Sequence, residues 1–247
     1  MKLVECSVTH NLRVRPEYHI LGLECGELGS IEPGQFITVS VDSVEMVLRR
    51  PFSIYRVFEN RGVIEIFFKV VGKGTKALSE LKEGMAVSVL GPLGKGFPLY
   101  EGVTAVLLSR GVGLASLALL GDKLKGLKSR VVTIASFKGR DADLASDNEY
   151  VKSFSDEVIV LYDEDRSSDV ENVRYLLNKV KPDVVYTCGS KRLVRLLKEL
   201  PYEAYVAWEE RMGCAVGACR SCAVRTVAGY KLTCYDGPVF NVRDLIL

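Results

Sequence analysis

"LGPLGKGFPLYEGVTAVLLSRGVGLASLALL", residues 90–120, is where the chain changes texture. Upstream of it, short runs rich in β-branched and aromatic residues alternate with turn signals. "QFITVSV" (35–41), "PFSIYRVFE" (51–59) and "GVIEIFFKVV" (62–71) are separated by "EPG" and "ENRG", a pattern that predicts an antiparallel barrel or sandwich. Within the stretch, "VTAVLLS" (103–109) is almost wholly apolar, as a strand buried on both faces must be, and "GLASLALLGDKLKGL" reads as a helix. Downstream the alternation continues through "RVVTIASF", "EVIVLY", "DVENVRYLLNKV", "DVVYTCG" and "KRLVRLLKEL". Strands alternating with helices predict a parallel sheet covered on both faces. The expected fold is therefore β followed by α/β: an antiparallel β-barrel over 1–99, a parallel-sheet domain of nucleotide-binding type over 100–203, and a small cysteine-bearing tail over 204–247.

Hydrophobic residues make up 48% of the 247, enough for ordinary packed cores. A formal charge of +2, with no basic run interleaved with aromatics, argues against a nucleic-acid partner. The opening "MKLVECSVTH" breaks its apolar run at Glu5 and Cys6, and no stretch reaches the length of a membrane span, so a cytoplasmic protein without a membrane segment is expected. In a reducing compartment, clustered cysteines point to metal ligation or redox chemistry before structural disulfides.

Four of the seven cysteines, Cys214, Cys219, Cys222 and Cys234, fall in "ERMGCAVGACRSCAVRTVAGYKLTCYDGPVF" (210–240). The C-x4-C-x2-C opening with a distant fourth thiol is the spacing of plant-type two-iron ferredoxins. The residues between are small, which lets the backbone wrap a cluster and aim N–H groups at its sulfurs. A structural zinc site or disulfides are the alternatives; zinc ribbons pair two matched knuckles, and only one tight triplet occurs here. The tail is too short to cohere by burial alone, so a bound metal centre would add to its stability. Cys6 and Cys25 are expected as lone, small core residues. The two histidines, His10 and His19, sit in no nucleophile or acid–base motif, and no catalytic residue is assigned.

"LRRPFSIYRV" and "FFKVVGKGTKAL" carry the remaining chemistry. Arg50 is a fork-shaped cation suited to a pyrophosphate, with Phe52 and Ser53 following. Gly72, Gly74 and Thr75 precede a helix start, where free N–H groups favour a phosphate. Together with "GPLGKGF", "ERMGC", the cysteine spacing and "CYDGPVF", these motifs resemble the ferredoxin reductase-like flavoproteins. Within them, the match is to the electron transfer subunit of the two-flavin, NAD-linked dihydroorotate dehydrogenases, along essentially the whole chain.

That resemblance implies a flavin-binding barrel, FAD, a 2Fe-2S cluster on the four cysteines, and a separate FMN-bearing subunit that oxidises dihydroorotate in a heterotetramer of pyrimidine biosynthesis. The chain alone would not oxidise dihydroorotate. Carried over by position, it places Arg50, Pro51, Phe52, Ser53 and Lys69 at the flavin, Gly72, Gly74 and Thr75 at its phosphates, and Gly111, Gly113 and Cys188 at an NAD(H) site. That last site departs from the family's pattern. "SRGVGLASL" has Arg110 in place of a glycine and Ser116 in place of a proline, "YDEDRSSD" brings Glu164 and Asp165, and "TCGS" ends in Ser190. Either Arg110 pairs with a pyrophosphate, or the site no longer takes a dinucleotide and the electrons leave to another acceptor. The rival readings are a small subunit of a ferredoxin:NADP oxidoreductase or sulfide-linked reductase and, from another class, a zinc-stabilised interaction protein.

Overall fold

A computed structural model describes residues 1–26, 28–40 and 47–247. Six strands, β1 (Lys2–Arg15), β2 (Tyr18–Glu24), β3 (Phe36–Val39), β4 (Arg50–Phe58), β5 (Val63–Lys69) and β6 (Ala86–Leu93), close into an antiparallel barrel in the order β1-β2-β5-β4-β3-β6. The expected "QFITVSV" strand survives as β3, and its Val41 lies outside the described residues. Leu21, Leu23, Ile37, Val39, Ile54, Ile66 and Val89 fill the interior. Closure leaves no unpaired strand edge to invite association. One short helix, α1 (Lys73–Ser79), sits between β5 and β6.

The second unit runs β7 (Thr104–Arg110), α2 (Leu114–Gly126), β8 (Arg130–Phe137), α3 (Glu149–Phe154), β9 (Glu157–Tyr162), α4 (Val170–Val180), β10 (Val184–Cys188), α5 (Lys191–Glu199) and β11 (Glu203–Ala207). These five strands are parallel. The tail adds β12 (Ala223–Thr226), β13 (Gly229–Leu232) and β14 (Val239–Asn241), and β14 pairs antiparallel with β11, giving the sheet order β14-β11-β10-β7-β8-β9. The expected boundary at 203/204 thus falls inside β11, and the end of the tail belongs to the sheet. Phe240, Val242 and Leu245 are buried in the core beneath α4 and α5. The tail therefore draws part of its stability from this core as well as from any metal it holds.

Helix α2 is apolar nearly all the way round, with Leu114, Leu117, Leu120 and Leu124 buried alongside Leu119. A helix of that kind must be enclosed. It is wedged between the barrel strand β4 on one side and β7, β8 and β10 on the other. Gly121 lies against Phe154 of α3 so closely that a Cβ there would meet its ring at 2.4 Å.

Two cysteines behave differently from expectation. The register that pairs Ser7 with Glu24 brings the next residues, Cys6 and Cys25, face to face, and they form a disulfide. Both are buried. Spacing could not reveal the pair, because it depends on how β1 and β2 align. The bond closes a loop with a sequence separation of 19, for which loop entropy gives about 3 kcal/mol of stabilisation. The Cys6→Ala/Cys25→Ala variant should lose about that much in denaturant titration; an unchanged midpoint would show that the bond contributes nothing.

Candidate functional site

Where the barrel rim meets the α/β unit, a cavity of about 380 Å³ opens, within the range of cofactor sites. Seven of the residues expected at a flavin or nicotinamide line it: Arg50, Pro51, Phe52, Ser53, Lys69, Thr75 and Cys188. Gly74 stands behind Arg50. Gly72 caps α1, and a Cβ on Gly74 would come within 2.7 Å of Arg50 Nε, so only glycine lets the guanidinium lie across this turn. The Thr75 hydroxyl secures the turn: it accepts from Val71 N at 2.8 Å and Gly72 N at 3.1 Å and donates to the Gly72 carbonyl. Lys69 pairs with Glu17 at 3.0 Å. A guanidinium backed by a tight helix-entry turn, beside an aromatic-lined hollow, suits a ligand with a flat ring at one end and phosphates at the other.

The back wall was not foreseen from sequence. Ser53 Oγ lies 2.7 Å from Ser116 Oγ, joining β4 to α2. Cys188 lines the same wall as Ser116, and its thiol reaches Glu209 Oε1 at 3.5 Å. Burial, and then the Glu209 carboxylate, push the Cys188 thiol well above its ordinary pKa, so it stays protonated. Glu209 is exposed, so this end of the wall opens to solvent. Trp208, Glu210 and Met212 also line the cavity, and nothing local in the sequence marks these residues as cavity walls. Part-buried His10 pairs with Glu65 at 3.0 Å, and buried His19 stacks on Phe68.

Beside the cavity, the four tail cysteines fall into two pairs. Cys214 and Cys219 exchange contacts, each backbone N–H approaching the other's sulfur, at 3.4 and 3.3 Å. Cys222 Sγ and Cys234 Sγ are 3.3 Å apart. Among the described residues no group of three or more His, Cys, Asp or Glu is placed to hold a single ion. Two pairs, one per iron, are what a two-iron cluster needs, whereas a zinc ion needs all four sulfurs about one point. Further N–H groups are aimed at the sulfurs, including Gly217 N at 3.2 Å from Cys234. Gly217 has φ +83°, and Ala215 and Arg220 also occupy the left-handed region, at φ 60° and 59°. Such backbone persists where the surroundings dictate it, typically at functional loops. Ser221 holds the Cys219 thiol down to about 6, while burial pushes Cys234 up to about 12.

At the carboxyl edge of the sheet, Gly111 and Gly113 form the turn after β7, and Gly113 packs against the carbonyl of Cys188, where a Cβ would meet it at 2.6 Å. Cys188, assigned to a nicotinamide, sits in the cavity wall. Arg110 forms a two-pronged ion pair with Asp163, Nη1 to Oδ1 at 2.7 Å and Nη2 to Oδ2. Arg110 holds the Asp163 carboxyl down to about 2, so the carboxylate stays charged at any ordinary pH. Glu164 and Asp165 are paired as well, with Arg140, at 3.6 and 3.5 Å.

A flavin-type barrel, a parallel α/β unit and a paired-cysteine module beside the cavity between them define a ferredoxin reductase-like flavoprotein with an iron–sulfur appendage. Comparison with known proteins agrees. Residues 5–97 match the oxidoreductase FAD-binding domain and residues 209–246 the iron-sulfur cluster binding domain of dihydroorotate dehydrogenase B. The chain is 34% identical, over 87% of its length and 87% of theirs, to the electron transfer subunits of dihydroorotate dehydrogenase B (NAD(+)) of Bacillus cereus and Bacillus mycoides. The chain belongs to the family of dihydroorotate dehydrogenase B electron transfer subunits. Its part is electron relay within an oxidoreductase of pyrimidine biosynthesis that includes a catalytic partner subunit, with FAD and an iron–sulfur cluster as its cofactors. The NADH-dependent reduced ferredoxin-NADP oxidoreductase shares the fold with a TM-score of 0.85 at 21% identity, covering 98% of this chain and 89% of that one. Among the described residues no helix is long and apolar enough to cross a membrane.

Proposed function

We infer that the cavity holds FAD, with Phe52 and Ser53 at its ring system, Pro51 and Lys69 beside them, and Arg50 with the Gly72–Thr75 turn at its pyrophosphate. Cys214 and Cys219 hold one iron of a 2Fe-2S cluster, and Cys222 and Cys234 hold the other. The observation that carries this reading is shared packing. Phe36 lines the cavity and packs in one cluster with Ala215, Cys222 and Cys234, and Met212 belongs to both. The two cofactor sites are therefore neighbours with no intervening solvent layer at that wall.

The donor in this reading is an FMN-bearing subunit that oxidises dihydroorotate to orotate, assembled with this chain as a heterotetramer in the cytoplasm. FAD, when bound, supplies the conversion between one-electron and two-electron traffic. The chain's residues do the rest: the aromatic wall excludes water, and Arg50 balances phosphate charge. The reducing compartment keeps the cluster thiols available, and burial keeps soluble thiols away from the Cys6–Cys25 bond.

The docking face follows from exposure. Cys219, Val216 and Tyr235 are exposed while Cys222 and Cys234 are buried, so the first pair of ligands faces outward, toward the partner. The isolated chain should show no dihydroorotate oxidation, and the reconstituted complex should show dye-linked turnover together with slowed amide exchange over residues 212–218. Turnover by the chain alone, or an unprotected loop in the active complex, would refute the division of labour.

A further inference from the structure

In open α/β sheets, ligands bind outside the carboxyl ends of the strands, where the strand order reverses. Here the order reverses at β7: the chain proceeds to β8 and β9 on one side, then returns to place β10 and β11 on the other. A dinucleotide would therefore lay its pyrophosphate over the carboxyl end of β7 and extend across β8 or β10.

That ground is already taken. Arg110 is the last residue of β7 and Asp163 the first after β9, so their two-pronged pair spans the carboxyl end of β8. Asp163 also accepts from the Ser168 hydroxyl, and Arg192 donates to the Ser168 carbonyl at 3.1 Å, which ties the start of α5 to the same group. One step outward, Arg140, from the turn after β8, pairs with Glu164 and Asp165 after β9, donates its backbone N–H to Glu164 at 3.3 Å, and covers the Tyr162 ring at 4.6 Å. The turns after β7, β8 and β9 are thus laced together by charge.

A pyrophosphate entering here gains nothing from Arg110 unless it breaks that pair. Breaking it leaves the Asp163 carboxylate unpaired, with Glu164 and Asp165 adjacent, against an anionic ligand. Like charges then face each other at close range. A two-pronged pair between two segments of one chain that flank β8 is also preorganised, whereas the incoming ligand must give up its own freedom to compete.

We propose that the Arg110–Asp163 pair is a built-in lock that excludes nicotinamide dinucleotides from the sheet edge, so that this subunit delivers its electrons to an acceptor that does not bind through a pyrophosphate. This rests on the relay reading above. It assigns Arg110 and Asp163 as residues that set acceptor specificity, acting by exclusion.

The test is NADH binding to the assembled complex, followed by calorimetry, for the wild type, Arg110→Gly and Asp163→Asn. The lock predicts no measurable binding by the wild type at millimolar NADH. It predicts a gain of tenfold or more in Asp163→Asn, which frees the guanidinium for phosphate, and none in Arg110→Gly, which leaves the Asp163 carboxylate unpaired against the ligand. Tight binding by the wild type, weakened in Arg110→Gly, would overturn the proposal and make Arg110 a pyrophosphate ligand. No gain in Asp163→Asn would overturn it too, because the pair would then not be what excludes the nucleotide. Dye-linked dihydroorotate oxidation by the wild-type complex tests the relay reading separately, since that rate does not depend on NAD+.

Discussion

Cys219→Ser should yield a chain that folds its barrel and sheet, binds FAD, and contains no intact cluster. Cys219 is the more exposed ligand of the outward pair, and it is the thiol that its neighbours, Ser221 first, hold lowest in pKa, at about 6. A thiolate is the form that binds iron, and serine at this position offers a far more weakly acidic hydroxyl. The loss should be all but complete for electron passage from the partner subunit, because in this reading the cluster is the link between the partner and the flavin cavity. Iron and sulfide analysis, with the visible spectrum, reads the outcome. Full iron and sulfide content would sink the ligand assignment. A wild-type protein that held one stoichiometric zinc with no iron or sulfide would sink the cluster itself.

Arg50→Ala should weaken FAD binding by about 2 kcal/mol or more, roughly thirtyfold, the cost of leaving a phosphate charge without its partner in a part-buried site. The side chain is already positioned, lying across Gly74 and donating to the Leu48 carbonyl. Arg50→Lys separates charge from geometry. A lysine keeps the charge and loses the planar fork, so its affinity should fall between the two. Flavin fluorescence on dilution provides the measurement. Unchanged affinity in the alanine variant would place the pyrophosphate elsewhere.

The barrel and the α/β unit were legible because their patterns are local. The runs that became β4, β5, β7 and β8 announce themselves by β-branched and aromatic content, and α2 by a surface that is apolar nearly all the way round until its last turns. The four cluster cysteines were legible by spacing within 21 residues, Cys214 to Cys234. What escaped was everything fixed by register or by contact between distant segments. Cys6 meets Cys25 only because β1 and β2 align one way and not another. Ser116 acquires its role from Ser53, 63 residues away, and Arg110 from Asp163, 53 residues away. Glu164 and Asp165 read as bare negative charge until Arg140 is found beside them. A sequence shows which groups are present; the partner that neutralises each is a property of the folded chain.

The addition of β14 to the sheet beside β11 has a topological meaning. Ala207 and Val239 face each other across the two strands, and Trp208 N donates to the Pro238 carbonyl at 2.8 Å just above them. The cysteine segment thus leaves and re-enters the molecule at a single narrow neck, as an oversized hairpin. Holding the ends of a loop together costs entropy that grows only slowly with the loop's length. An excursion of this kind could be inserted into, lengthened within or lost from an ancestral flavoprotein without rerouting a single strand of the scaffold. The iron–sulfur centre is in this sense a fitting mounted on a reductase body, fastened to it by Val224 in the core of the sheet and by Phe36 of the barrel against Cys222 and Cys234.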